Sequence, residues 1–259
     1  MADSNARLAL VTGAGQGIGA AVTGQLVSEG MRVIAMEKRV DLLDGLAAKF
    51  GDKVIPSELD LCEMTSISGV VSELVQEHGP VTALVNNAGV WPGSPIVDMD
   101  DKTWRLNFAI NVDAPFALMR CLAPVMAEAG GGGVVTVASR NAFRSSTNNA
   151  GYDASKAAVV ALTRTAAGEF ARNNIRVNTV CPGVISTPGN SSAEESLFKA
   201  AYTKQIPMDR YGEPEEIARV ISFLLSEASS FLTGQAIIVD GGQIACQDNA
   251  RYLEVPGLR

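Results

Sequence analysis

Short apolar runs rich in β-branched residues alternate with longer helical patterns along almost the whole of this chain. That alternation restricts the fold to βαβ units, because parallel strands in one sheet need long crossover connections between them. The predicted strands are Leu8–Thr12, Val33–Met36, Val54–Glu58, Ala83–Asn86, Val134–Ala138, Arg176–Val180 and Ala236–Val239. Several are nearly continuous runs of Val, Leu, Ile and Ala, the pattern of strands covered by helices on both faces. The predicted helices cover Ile18–Glu29, Val40–Phe50, Met64–Glu77, Lys102–Glu128, Tyr152–Arg172 and Glu213–Ser226. Gly130 to Gly133 reads as a tight helix-to-strand turn. The alternation breaks at 187–207, where Gly, Asn and Ser lead into a short helical patch, Ala193–Tyr202. Such an excursion predicts a substrate loop.

The 259 residues, 47% apolar and 19% charged, are enough for a large core and exclude an intrinsically disordered chain. One domain over 1–259 is expected, ending in a tail at about 243–259. A formal net charge of −7, with no cluster of Lys and Arg, excludes a general nucleic-acid binder. The first residues lack the order of a signal peptide, and no unbroken apolar run reaches the roughly 20 residues needed to span a bilayer, so no membrane role is expected. Cys62, Cys121, Cys181 and Cys246 are scattered and form no C-x-x-C pair. Neither a metal site nor a disulfide framework is expected, and a cytoplasmic location fits. His78, the only histidine, sits before Gly79-Pro80 at a helix end, where it complements the dipole rather than serving a hydrolase triad.

The segment Thr12-Gly13-Ala14-Gly15-Gln16-Gly17-Ile18-Gly19 follows the first predicted strand and opens the first predicted helix. Glycines there let the backbone turn sharply and approach a pyrophosphate, whose charge suits the exposed N–H groups of a helix start. Glu37 closes the second strand, where a carboxylate can accept from the ribose hydroxyls of a dinucleotide and repel a 2′-phosphate. That favours NAD, while the adjacent Lys38 and Arg39 leave NADP open. Tyr152 and Lys156, four residues apart, fall on one helix face. An ammonium so placed is expected to lower the phenol pKa towards the working range of a general acid and base.

With Asn86-Asn87-Ala88-Gly89 after the fourth strand, Asn111, Ser139 after the fifth strand and Pro182-Gly183 after the sixth, these motifs resemble the short-chain dehydrogenase/reductase family from about Leu8 to Gly242. The resemblance implies a Rossmann-type three-layer α/β sandwich, with a seven-stranded, mostly parallel sheet and helices on both faces. It implies a nicotinamide cofactor held by Gly13, Gln16, Gly17, Ile18, Gly19 and Glu37. Asp60 and Leu61 would lie near the adenine, Asn87, Ala88 and Gly89 along the adenosine ribose, and Pro182, Gly183, Ile185 and Thr187 around the nicotinamide amide.

A tetrad of Asn111, Ser139, Tyr152 and Lys156 is also implied. Tyr152 would be the general acid and base and Ser139 would bond the substrate oxygen. Lys156 would hold the nicotinamide ribose and lower the Tyr152 pKa, and Asn111 would anchor a water of the proton relay. The implied activity is NAD(H)-dependent interconversion of a small-molecule secondary alcohol and a ketone, by a homotetramer. Two alternatives remain: an NADP-dependent 3-oxoacyl-thioester reductase, and a non-catalytic NAD-sensing module, which would not need the tetrad. Trp91, Trp104, Phe143 and Arg144 are candidates for substrate contact, with solvation or packing as their ordinary reading.

Overall fold

Leu8–Thr12 (β1) is buried at every position, so both of its faces must meet apolar partners. It lies inside a seven-stranded sheet with β2 (Arg32–Glu37), β3 (Val54–Glu58), β4 (Val81–Asn86), β5 (Gly132–Val137), β6 (Ile175–Pro182) and β7 (Ala236–Val239). The strand order is β3-β2-β1-β4-β5-β6-β7 and every pairing is parallel, which tightens the expected "mostly parallel". The computed structural model describes residues 6–187, 199 and 202–245. Most of the helical patch Ala193–Tyr202 and of the expected substrate loop, 188–198 with 200 and 201, and the tail beyond 245 lie outside them.

The helices are α1 (Gly17–Ser28), α2 (Val40–Phe50), α3 (Met64–His78), α4 (Asp101–Phe108), α5 (Ala114–Glu128), α6 (Ala150–Phe170) and α7 (Pro214–Leu225). Successive side chains of a strand point to opposite faces, and the core divides accordingly. Leu8 and Leu10 of β1 join Ile34, Leu84, Ile67 of α3 and Leu118 and Leu122 of α5 on one face. Ala9 and Val11 join Val33, Leu26 of α1, Leu43 of α2 and Ile221 of α7 on the other. The result is three layers, helix on sheet on helix.

Two boundaries differ from expectation for identifiable reasons. The predicted helix Lys102–Glu128 is broken by a π turn, Ala109–Asp113, between α4 and α5. Pro115, in the first turn of α5, has no N–H to give the carbonyl of Asn111 four residues back, so the α-helical ladder cannot run through. The strand β5 starts at Gly132 rather than 134, and the turn is confined to Gly130 and Gly131, both at positive φ. Gly132 can enter the sheet because a Cβ there would stand 2.7 Å from the Thr82 carbonyl. The run Asp101–Glu128 has the length and apolar composition of a membrane span. Its Leu118, Leu122 and Met126 are fully buried in the core.

The strand order reverses between β1 and β4, and the crevice beyond the carboxyl ends of such strands is where open α/β sheets bind ligands. The glycine turn after β1 and the segment Asn87–Gly89 after β4 meet there.

Candidate active site

The glycine turn is shaped by contacts that only hydrogen atoms fit. Gly13 and Gly17 take positive φ, and a Cβ on Gly13 would stand 2.9 Å from Ala88 Cα. Asn87 clamps the turn, its Nδ2 donating to the carbonyls of Thr12 (2.9 Å) and Gly13 (3.0 Å). Thr12, which the motif reading did not single out, receives the backbone N–H groups of Asn87 and Ala88 on its Oγ1, each at 3.0 Å. Its signal was its place as the buried last residue of β1. Above the turn, Glu37 Oε2 accepts from Gly15 N at 3.3 Å and Oε1 from the backbone N–H groups of Lys38 and Arg39. The Lys38 ammonium is 2.6 Å from Asp60, and Arg39 pairs with Asp41 at 2.9 Å.

A cleft of about 710 Å³ runs from this corner along the carboxyl edge of the sheet. It brings together every sequence-predicted site residue except Gly19 and Asn111. Gly19 lies behind the turn, where a Cβ would stand 2.0 Å from the Gly13 carbonyl oxygen. Asn111 sits in the π turn and is set back from the cleft. Its side chain accepts from Val90 N and donates to Val90 O and Ser155 Oγ, so it fixes the wall segment Val90 to α6. Of the aromatic candidates, Trp91 lines the cleft and Trp104 and Phe143 do not. His78 ends α3, away from the cleft. Arg144 is also absent from the lining, whereas Arg140, which the motif reading passed over, is part of it.

At the far end Ser139 follows β5 and Tyr152 and Lys156 project from the first turns of α6. Burial raises the Tyr152 hydroxyl above its ordinary value, while its hydrogen bond with Ser139 and the charge of Arg140 act in the opposite sense. Lys156 lies beneath the ring. Its ammonium, 5.7 Å from the Tyr152 ring centroid, donates to the Val137 carbonyl at 2.9 Å. Desolvation lowers Lys156 from 10.5 to about 8. Removal from water disfavours the charged form of any ammonium that has no carboxylate beside it.

Between pH 8 and 10.5 the unfolded chain therefore holds a proton at Lys156 that the folded chain has begun to release, so this residue makes folding more favourable as pH rises. Cys181, buried nearby and pushed up to about 11 from 9.0, acts in the reverse sense above pH 9. Unfolding free energy from urea melts is expected to gain about 1 kcal/mol from Lys156 between pH 8 and 9. The gain should vanish in Lys156→Met, and equal slopes in the two proteins would contradict the burial of a charged lysine.

A cleft with a glycine cradle closed to any Cβ, a carboxylate over it and a buried lysine at its far end fits a dinucleotide in shape and chemistry. The model of the family described as enoyl-(acyl carrier protein) reductase matches residues 13–243. A 3-oxoacyl-[acyl-carrier-protein] reductase of Thermotoga maritima is 38% identical over 241 residues, 92% of this chain and 98% of that protein. A 2-keto-3-deoxy-L-fuconate dehydrogenase of Xanthomonas campestris is 35% identical, covering 90% of this chain and 78% of its own. The crystal structure of a short-chain type dehydrogenase/reductase from Mycobacterium marinum superposes with a TM-score of 0.86 at 32% identity, over 94% of this chain and 98% of that one. Fold and relatives together define an oxidoreductase that acts on CH–OH groups with a nicotinamide cofactor. The chain belongs to the short-chain dehydrogenase/reductase family.

Proposed function

We propose that the protein interconverts a secondary alcohol and a ketone with NAD(H), using Tyr152 as general acid and base. The observation that carries this reading is the corner of the cleft lined by Ser139, Tyr152 and Lys156, where the Lys156 ammonium lies 5.7 Å from the Tyr152 ring centroid. Gly13, Gln16, Gly17, Ile18 and Glu37 would hold the adenosine and pyrophosphate part of the cofactor, and Lys156, Pro182, Gly183, Ile185 and Thr187 the nicotinamide part. The bound dinucleotide supplies a hydride donor and acceptor at its nicotinamide ring. Ser139 Oγ donates to the substrate oxygen and holds it against Tyr152 Oη. In oxidation Tyr152 accepts the hydroxyl proton, and in reduction it returns one, so charge never accumulates fully on that oxygen.

Preference for NAD over NADP is supported by the use already made of the neighbouring cations. Asp60 holds Lys38 and Asp41 holds Arg39, while Glu37 faces the glycine turn unneutralised by either side chain. A 2′-phosphate there would meet a carboxylate. Fluorescence titration at fixed salt is expected to give a Kd for NADH at least about tenfold below that for NADPH, a difference of roughly 1.4 kcal/mol. Glu37→Ala should narrow the gap from both sides. Tighter binding of NADPH would overturn this assignment and favour the second reading, an NADP-dependent 3-oxoacyl-thioester reductase, whose substrate class is the one in the name of the 38% identical relative.

A further inference from the structure

Arg140 directly follows Ser139 and opens a 3₁₀ turn, Arg140–Ala142. It is 8% exposed and belongs to the lining of the cleft, as do Tyr152, Asn149 and Trp91. Its Nη2 donates to the Tyr202 hydroxyl, and the guanidinium carbon lies 5.9 Å from the centroid of that ring. Neither contact brings a negative charge. The ion pairs among the described residues join Lys38 to Asp60, Arg39 to Asp41, His78 to Glu77 and Arg210 to Glu216, and none includes Arg140. Asp153, the buried carboxylate of the same corner, accepts from Asn141 Nδ2 and from Ser146 N, each at 2.7 Å. Its oxygens are thus committed to the turn that carries Arg140 rather than to the guanidinium.

A guanidinium stays charged in any protein environment, and a cation removed from water without a counter-charge is costly. One hydroxyl occupies one of its five N–H donors. The remaining planar fork matches the two oxygens of a carboxylate. The other cations of the cleft are engaged: Lys38 by Asp60, and Lys156 by the Val137 carbonyl beneath Tyr152. We propose that Arg140 receives a carboxylate of the substrate, so that the reaction couples a short hydroxy acid to the corresponding oxo acid. The inference rests on the alcohol–ketone reading above and adds the substrate class. Because Arg140 directly follows Ser139, the proposal is confined to acids whose carboxylate lies within an arginine side chain's reach of the reacting carbon.

The test compares 3-oxobutanoate and 4-oxopentanoate with their methyl esters, which keep the ketone and remove the charge. With NADH, at least one acid should show a kcat/KM roughly 100-fold above its ester, the size of effect expected for a buried charge pair. The ratio should fall towards one in Arg140→Gln and be partly kept in Arg140→Lys. Esters equal to or better than acids in the native protein, or a ratio unchanged in Arg140→Gln, would overturn the proposal. Should none of the probes be reduced, melting temperatures decide. Greater stabilisation by acid than by ester, lost in Arg140→Gln, supports the site, and equal stabilisation removes it. Failure of NADH to bind would sink the alcohol–ketone reading separately, because the same melting comparison without nucleotide still reports on Arg140.

Discussion

Tyr152→Phe is expected to lower kcat by about 10²–10⁴-fold in both directions, the contribution typical of a positioned general acid or base. The substitution removes one oxygen from a residue seated by α6 and leaves the ring that stacks near Lys156. NADH titration should therefore still find the cofactor site, and loss of turnover with retained binding isolates proton transfer from folding. The pH profile adds an independent check. Burial holds the Tyr152 hydroxyl above its ordinary value, so the base form is populated only on the alkaline side, and the rate of alcohol oxidation should rise with pH. Reduction needs the protonated phenol and should fall over the same range. Ser139→Ala removes the hydroxyl that opposes the burial effect, so it should move the alkaline limb further up. Turnover surviving in Tyr152→Phe would make another group the acid and base, whereas a native protein that binds NADH and turns over no alcohol or ketone would favour the NAD-sensing alternative, since such a module needs no proton-transfer group at all.

The strands and the layers were legible because β1, β4, β5 and β6 bury nearly every position and so spell themselves in Val, Leu, Ile and Ala, whereas the order of the strands was not. β1, β3 and β7 fall at the predicted bounds. The break at Ala109–Asp113 was written in Pro115, but a proline near the middle of an otherwise helical pattern reads as equally compatible with a kink or a continuous helix. The cofactor cleft was legible because glycine spacing reports backbone geometry directly. Arg140 was not. Its neighbour Arg144 has the same side chain and a similar loop setting, and only the fold decides that one turns into the cleft and the other reaches the Gln243 carbonyl at 3.4 Å. The depth of Lys156 was illegible for a related reason. Helical spacing places it and Tyr152 on one face, but the depth at which the ammonium loses its solvent is set by β5 and β6, from the far side of the sheet edge.

Gly19→Ala is expected to be the most damaging single-methyl change in the cofactor region, costing about 2–4 kcal/mol in stability and at least tenfold in NADH affinity. The backbone at Gly19 is not in the left-handed region, so the effect is one of space alone. A Cβ there would lie 2.0 Å from the Gly13 carbonyl oxygen and 2.6 Å from Asn87 Nδ2. Both atoms belong to the clamp by which Asn87 holds the turn, and neither is the free end of a flexible side chain. Relief requires α1 to back away from β1, which carries the N–H groups of Gly17 to Gly19 away from where a pyrophosphate would sit and weakens the packing of Val22 and Leu26 beneath. Gly45 in α2 supplies the contrast. A Cβ at Gly45 meets nothing within 4 Å, and Gly45→Ala should raise stability by about 0.5–1 kcal/mol through the lost freedom of the unfolded chain. Denaturant melts and NADH titrations of the two variants thus bear on one point: whether the dinucleotide site is made by the close approach of helix and turn. A Gly19→Ala protein with native affinity would show that the turn binds its ligand without that approach, and would shift the weight of recognition to Glu37 and Asp60.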